Sequence, residues 1–188
     1  MGWQSGHAFA CSALCSQRIY RGSNPLPTFS VNSKTAPLFS IAVRRFYHAF
    51  VVQADIDKVW EFYTGIDHLR VITPPQIKLQ VEKSTTGSRL EEGTDVWLSG
   101  HYITTIRWHS RITRMEPFIY VDEMLQGPFK TWIHTHSFRA TSGGTEVIDE
   151  IDFELPYGAV GRVFEGYVAC QLARIFAYRK EATIKVFR

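Results

Sequence analysis

The chain has 188 residues, 45% hydrophobic and 21% charged, a balance that fits about one folded domain and excludes wholesale disorder and collagen-like repeats. No run approaches the ~18 apolar residues of a membrane-spanning helix, so no integral membrane segment is expected. The net charge of +3 is unevenly spread: residues 1–54 hold Arg18, Arg21, Lys34, Arg44 and Arg45 and no acid, while the remainder carries 16 basic against 18 acidic residues. A nucleic-acid binder needs a basic stripe on its folded part, and with none visible no nucleic-acid partner is expected.

Residues 1–43 contain seven serines, Pro25, Pro27 and Pro37, and scattered single apolar residues. Neither a helical nor a strand period runs through them. Acid-free, Ser- and Arg-bearing N-termini resemble organelle transit peptides; a disordered tail or a start assigned too far upstream reads equally from the same residues. Cys11 and Cys15 lie here, and Cys170 falls in a helical pattern where a small buried hydrophobe is the usual role. Three cysteines make no disulfide framework, which favours a reducing compartment. A cytoplasmic protein is the expectation, with plastid or mitochondrion as the alternative if the extension is a transit segment.

From Arg44 the pattern sharpens. Arg44–Ala54 alternates and is rich in aromatic and β-branched residues, which predicts a strand. Asp55 is placed to cap a helix over Ile56–Tyr63, Gly65 ends it, and Pro74-Pro75 forbids its continuation. Six strand-like runs follow: Ile77–Lys83, Thr94–Tyr102, Thr104–Met115, Phe118–Leu125, Phe129–Ala140 and Thr145–Leu155, separated by Gly- and Pro-bearing turns. Beyond Pro156, Val160, Phe164, Val168, Leu172, Ile175 and Arg179 recur at helical spacing as one stripe. The order predicts an α+β fold of about seven antiparallel strands, with two short helices after the first strand. The long C-terminal helix lies on the concave face, because sheet and helix each have one apolar face to bury.

The last hairpin carries the sharpest signal. A turn at Thr141–Gly144 sets Phe138 opposite Val147, His136 opposite Asp149, His134 opposite Ile151 and Trp132 opposite Phe153. Val147, Ile151, Phe153 and Leu155 mark the inward face, and Asp149 is the one carboxylate in that stripe. An inward carboxylate beside an imidazole has three readings: a satisfied buried ion pair, an anchor for a polar head group in an apolar cavity, or an acid/base pair of His136 and Asp149. His134 and His136 share a face, as metal sites often require, but a third ligand would have to be Asp149 or His101 and no spacing fixes it. Neither a metal nor a cofactor is expected. Trp108 belongs to an alternating set, Ile106, Trp108, Ser110 and Ile112, that reads inward as core or cavity wall. For Tyr120, Asp122 and Met124 against Ile119, Val121 and Glu123, periodicity does not choose the inward face. No nucleophile elbow or phosphate-cradling glycine loop is present.

Val121-Asp122-Glu123-Met124, Gly127-Pro128-Phe129, Trp132, His134, His136, Phe138, Gly144-Thr145, Asp149 and Pro156-x-Gly158 together resemble a branch of the helix-grip superfamily (SRPBCC). That superfamily includes START lipid-transfer domains, pollen-allergen-like proteins and polyketide cyclases. Asp55-x-x-x-Val59-Trp60 and Pro74-Pro75 also fit. Members of the branch stand alone or are fused to a nucleotide-sugar-epimerase-like domain. The resemblance spans residues 44–188, taken as a START-like ligand-binding domain after the 1–43 extension. It implies a cavity between sheet and helix and a small hydrophobic ligand such as a lipid, isoprenoid or polyketide-like compound.

The first functional expectation is therefore non-catalytic binding or transport. The ligand's apolar body lies against Trp108, Trp132, Phe153, Phe164 and Val168, its polar end meets His136, Asp149 and either Tyr120 or Asp122, and Met124 and His134 complete the candidate binding residues. The second is a cyclase- or dehydratase-like enzyme in which His136 and Asp149 move protons. The third is an interaction module for a separate epimerase-like partner, since no such domain follows Arg188.

Overall fold

A computed structural model describes residues 43–188; the expectations for the extension lie outside the described residues. Seven antiparallel strands form one sheet: β1 (Arg44–Val52), β2 (Gln80–Ser84), β3 (Asp95–His101), β4 (Thr105–Glu116), β5 (Ile119–Gln126), β6 (Thr131–Thr141) and β7 (Gly144–Glu154), in the spatial order β1-β7-β6-β5-β4-β3-β2. Helices α1 (Ile56–Thr64) and α2 (His68–Val71) and a 3-10 turn at Pro75–Ile77 join β1 to β2, and α3 (Ala159–Val186) follows β7. This is the expected helix-grip architecture. The run from Ile77 begins as a 3-10 turn instead of a strand, because Pro74-Pro75 sets the backbone just ahead of it.

Local chemistry explains the joints. Asp55 accepts a hydrogen bond from the Asp57 amide at 2.9 Å and so caps α1. Gly144 has φ of +121°, and a Cβ there would lie 2.1 Å from the Val52 carbonyl oxygen. Only glycine lets β1 close on the β6–β7 hairpin at that point. Thr145 locks the same corner by donating its hydroxyl to the Ala54 carbonyl at 2.8 Å.

The main core joins Val59 and Tyr63 of α1 to Phe50, Val52, Tyr120, Phe138 and Val147 on the concave face of the sheet. A second apolar cluster joins Ile151 and Phe153 of β7 to Leu172 and Phe176 of α3, with Phe129, Trp132 and Val168 packed around it. Burying each such side chain stabilises the fold by roughly 1.5–3 kcal/mol. Tyr63 and Thr183 share a 2.9 Å hydrogen bond that ties α1 to the end of α3.

The helix does not bury its stripe evenly. Leu172, Phe176, Arg179 and Thr183 are buried, whereas Val160, Val163, Phe164 and Tyr167 are exposed. The stripe expected over seven turns therefore meets the sheet only in its later part. Antiparallel topology places the β3–β4, β5–β6 and β7–α3 connections at one end of the sheet, the end over which α3 begins. The opposite end carries the β1–α1, β4–β5 and β6–β7 connections.

Candidate functional site

β7 alternates strictly, burying Thr145, Val147, Asp149, Ile151 and Phe153 on the concave side. Its register with β6 is the one expected, with His136 opposite Asp149, His134 opposite Ile151 and Trp132 opposite Phe153. On the outer face, Glu146, Asp152 and Glu154 pair with Arg139, Arg45 and Lys130.

Asp149 is fully buried, and its Oδ1 is the hub of a polar cluster. His134 Nε2 hydrogen-bonds it at 3.0 Å, His136 Nδ1 lies 3.0 Å away but off the angle of a good hydrogen bond, and Arg179 Nη1 donates from α3 at 3.2 Å. Burial alone would push the Asp149 carboxyl up. Arg179 and the two imidazoles outweigh that and hold it well below the usual carboxylate range. His136 is pushed well below the ordinary imidazole value, first by burial and then by His134, against the pull of Asp149. Its ring stacks on Tyr120 at 4.2 Å, while Arg179 lies over Phe176 at 4.4 Å.

β5 supplies the next polar member. Tyr120 pairs with His136 and Asp122 with His134 in the β5–β6 register, so Tyr120, Asp122 and Met124 form the inward set. Burial raises the Asp122 carboxyl, opposed by His134 and a hydrogen bond from Ser110. Several buried polar atoms have no hydrogen-bond partner among the described residues: Asp122 Oδ1, Asp149 Oδ2, Arg179 Nε and His48 Nδ1.

The structure thus brings Tyr120, Asp122, His134, His136 and Asp149 into one cluster. Trp132, Phe153 and Val168 stand in the adjoining apolar cluster. Trp108 packs against the main core, and with Met124 it closes on Gly127, where a Cβ would lie 2.9 Å from Trp108 Cβ and 2.3 Å from Met124 Sδ. Phe164 is exposed on the first turns of α3 and belongs to neither apolar cluster. Burial is graded along β4–β6 on the concave face: Tyr120, His134 and His136 are buried, as is Asp149 beside them, whereas Asp122, Met124, Trp108 and Trp132 toward the α3-start end are half-buried; on β7, Ile151 and Phe153 stay fully buried at that end. Two surface hollows, between Gln53–Ile56 and the β6–β7 turn and beside Val71 and Tyr178, touch none of these residues.

Arg179 is the functional-looking residue that sequence reasoning missed. It was legible only as an arginine occupying a stripe position among apolar residues, a placement that demands a buried partner. His48, opposite Asp149 on β1, and Tyr63 were missed as well.

Among the described residues no helix is long and apolar enough to cross a membrane. Residues 52–177 match the family model described as polyketide cyclase/dehydrase and lipid transport. A START superfamily protein from Mycobacterium smegmatis is similar in structure at 12% identity, covering 77% of this chain and 99% of that one with a TM-score of 0.58. The Zhui aromatase/cyclase from Streptomyces sp. R1128 is 19% identical, with 77% and 96% coverage and a TM-score of 0.57. A nucleoside-diphosphate sugar epimerase from Corynebacterium glutamicum is 23% identical over 74% of this chain but only 28% of its own length, with a TM-score of 0.53. A search of curated proteins found no match. With a family model matching residues 52–177, the chain belongs to the polyketide cyclase/dehydrase and lipid transport family, and it shares the helix-grip fold of these solved structures.

Proposed function

We propose that this protein binds a small hydrophobic molecule bearing one polar end, without transforming it. The observation that carries the reading is the gradient on the concave face. Half-buried apolar walls, Trp108, Met124 and Trp132, lead to a buried polar cluster that still holds unpartnered atoms. Buried polar atoms are nearly always satisfied in folded proteins, so Asp149 Oδ2 and Arg179 Nε favour a ligand that brings a donor and an acceptor. Apolar walls with a few convergent polar groups are the usual makeup of small-molecule sites. The test is native mass spectrometry of the full chain with solvent extraction of whatever it carries. A stoichiometric hydrophobic adduct, depleted in Trp132→Ala, is the expected result. A wild-type chain that is empty and takes up no member of a lipid and polyketide panel overturns the reading.

A second reading rests on the 3.0 Å contact between the His136 imidazole and Asp149: proton transfer on an enolisable substrate, as in a cyclase or dehydratase. Turnover with a bell-shaped pH–rate profile that disappears in His136→Ala would favour it over binding alone.

A further inference from the structure

His134 and His136 stand side by side on β6, with ring centroids 3.7 Å apart. His134 Nε2 hydrogen-bonds Asp149 Oδ1, and His136 Nδ1 lies 3.0 Å from the same oxygen without hydrogen-bond geometry, so Asp149 engages neither ring's second nitrogen. Asp122 comes from the neighbouring strand, and one ligand-type atom from each of Asp122, His134 and His136 lies within 4.8 Å of the others. Asp122 Oδ1 is buried and has no hydrogen-bond partner among the described residues. His101, the exposed alternative at the end of β3, is not part of this group.

From this geometry we propose that Asp122, His134 and His136 form a binding site for a divalent transition-metal ion such as Zn2+, with Asp149 as the outer carboxylate beside both imidazoles. Two neutral imidazoles and one carboxylate on rigid neighbouring strands suit a first-row divalent ion better than Mg2+ or Ca2+, which prefer all-oxygen shells. Metal-bound histidines characteristically give their other ring nitrogen to a carboxylate; Asp149 stands in that relation to His134 and lies 3.0 Å from His136. Arg179 adds a positive charge nearby, but Asp149 answers it directly at 3.2 Å. With Asp122 ionised the cluster is net negative, which favours a cation. Three protein ligands would leave a tetrahedral ion one further position to fill. The site does not depend on the hydrophobic-ligand reading, and its test reads the metal itself.

The experiment uses the untagged full chain, stripped with chelator and titrated with Co2+ and then Zn2+. Tight binding of one equivalent of Co2+ with visible ligand-field absorption, displaced by Zn2+, is expected. Asp122→Asn should weaken Zn2+ binding at least tenfold, and Asp149→Asn by about 10–100-fold, while His101→Ala leaves it unchanged. Should the cluster variants fail to fold, imidazole 15N NMR on the wild-type chain decides the matter: Zn2+ should shift the His134 and His136 nitrogens. Absence of stoichiometric binding, binding insensitive to Asp122→Asn, or shifts confined to other histidines overturns the proposal.

Discussion

The sheet carries the same grouping twice, once on each face. On the outer face Asp95 receives His109 Nε2 at 2.7 Å and the Arg111 fork at 2.9 and 2.8 Å, with His109 stacked on Trp97 and Lys83 over that ring. On the inner face Asp149 receives His134 and Arg179, His136 stacks on Tyr120, and Arg179 lies over Phe176. The chemistry is alike and the surroundings are opposite: the arginine side chain is 46% exposed in the outer group and 10% in the inner one. Outside, water can replace any lost partner, so the pair refines the surface and little else. Inside, no water answers for a missing charge, so every member depends on the others. The outer group makes more ideal bonds, yet the inner one is where removal hurts and where a ligand or ion can be held.

The largest effect should come from removing the inner cation. Arg179→Met should destabilise the fold by about 3–5 kcal/mol in urea denaturation, since it strands a buried carboxylate. Adding Asp149→Leu should recover much of that loss. A loss no larger than that of an average surface substitution would mean the two faces are equivalent.

Acid should separate the faces next. Burial pushes His68 down to about 4 and His136 well below its ordinary value. The folded state then binds fewer protons than the unfolded state once the pH drops below about 6.5. Stability from these neutral imidazoles is complete above that pH and is lost as pH falls toward 4, by up to about 3 kcal/mol for His68 alone. Asp95 behaves in the other window. Hydrogen bonds from Arg111 lead, and His109 helps, in lowering its carboxyl to about 2, so its contribution persists to pH 4 and fades only below it. Stability curves from pH 8 to 2 should therefore show two phases, the upper one flattened in His68→Leu. A single phase below pH 4 would contradict the burial of neutral His68 on α2 and His136 on β6.

On ligand affinity the expected effects are smaller. Asp149→Asn should weaken a polar-headed ligand by about 1–3 kcal/mol in a titration, because a charge-assisted bond is lost, while Asp95→Asn leaves affinity unchanged. Equal effects from the two would remove Asp149 from the head-group role. The smallest change should be Arg111→Met, which leaves the denaturation midpoint close to wild type; a large shift there would break the comparison from the other side.

Much of this was legible in the residues. Asp149 announced itself because β7 alternates without a fault, so one carboxylate among Val147, Ile151 and Phe153 had to point inward. The hairpin register followed from the turn expected at Thr141–Gly144, which the structure tightens to Ser142-Gly143 by pairing Thr141 with Gly144, and it delivered His136 and His134 to their positions. The face of β5 was not legible, because Tyr120, Asp122 and Met124 are matched by an equally plausible set. Its partner β4 carries register shifts at His109/Ser110 and Ile112/Arg114 that disturb the alternation. Asp122 thus joined the cluster by pairing with His134, a long-range fact. Arg179 stood in plain view in the helical stripe, but its partner lies on another element and only the grip of α3 on the sheet brings them together. The exposure of Phe164 was hidden for a related reason: helical spacing defines a face, while the sheet decides how many turns of that face it covers.

The dependence of Asp149 on Arg179 also sets an order of assembly. During synthesis all seven strands emerge before α3, so they are free to pair while the helix is still being made. The hairpin that carries Asp149 can therefore pair early, but its inner face must stay wet until the turn of α3 bearing Arg179 arrives to neutralise the carboxylate and cover Ile151 and Phe153. A nascent chain halted before that turn would present a water-filled, apolar trough to its neighbours, which makes the closing turns of α3 the step that converts a sticky sheet into a finished protein.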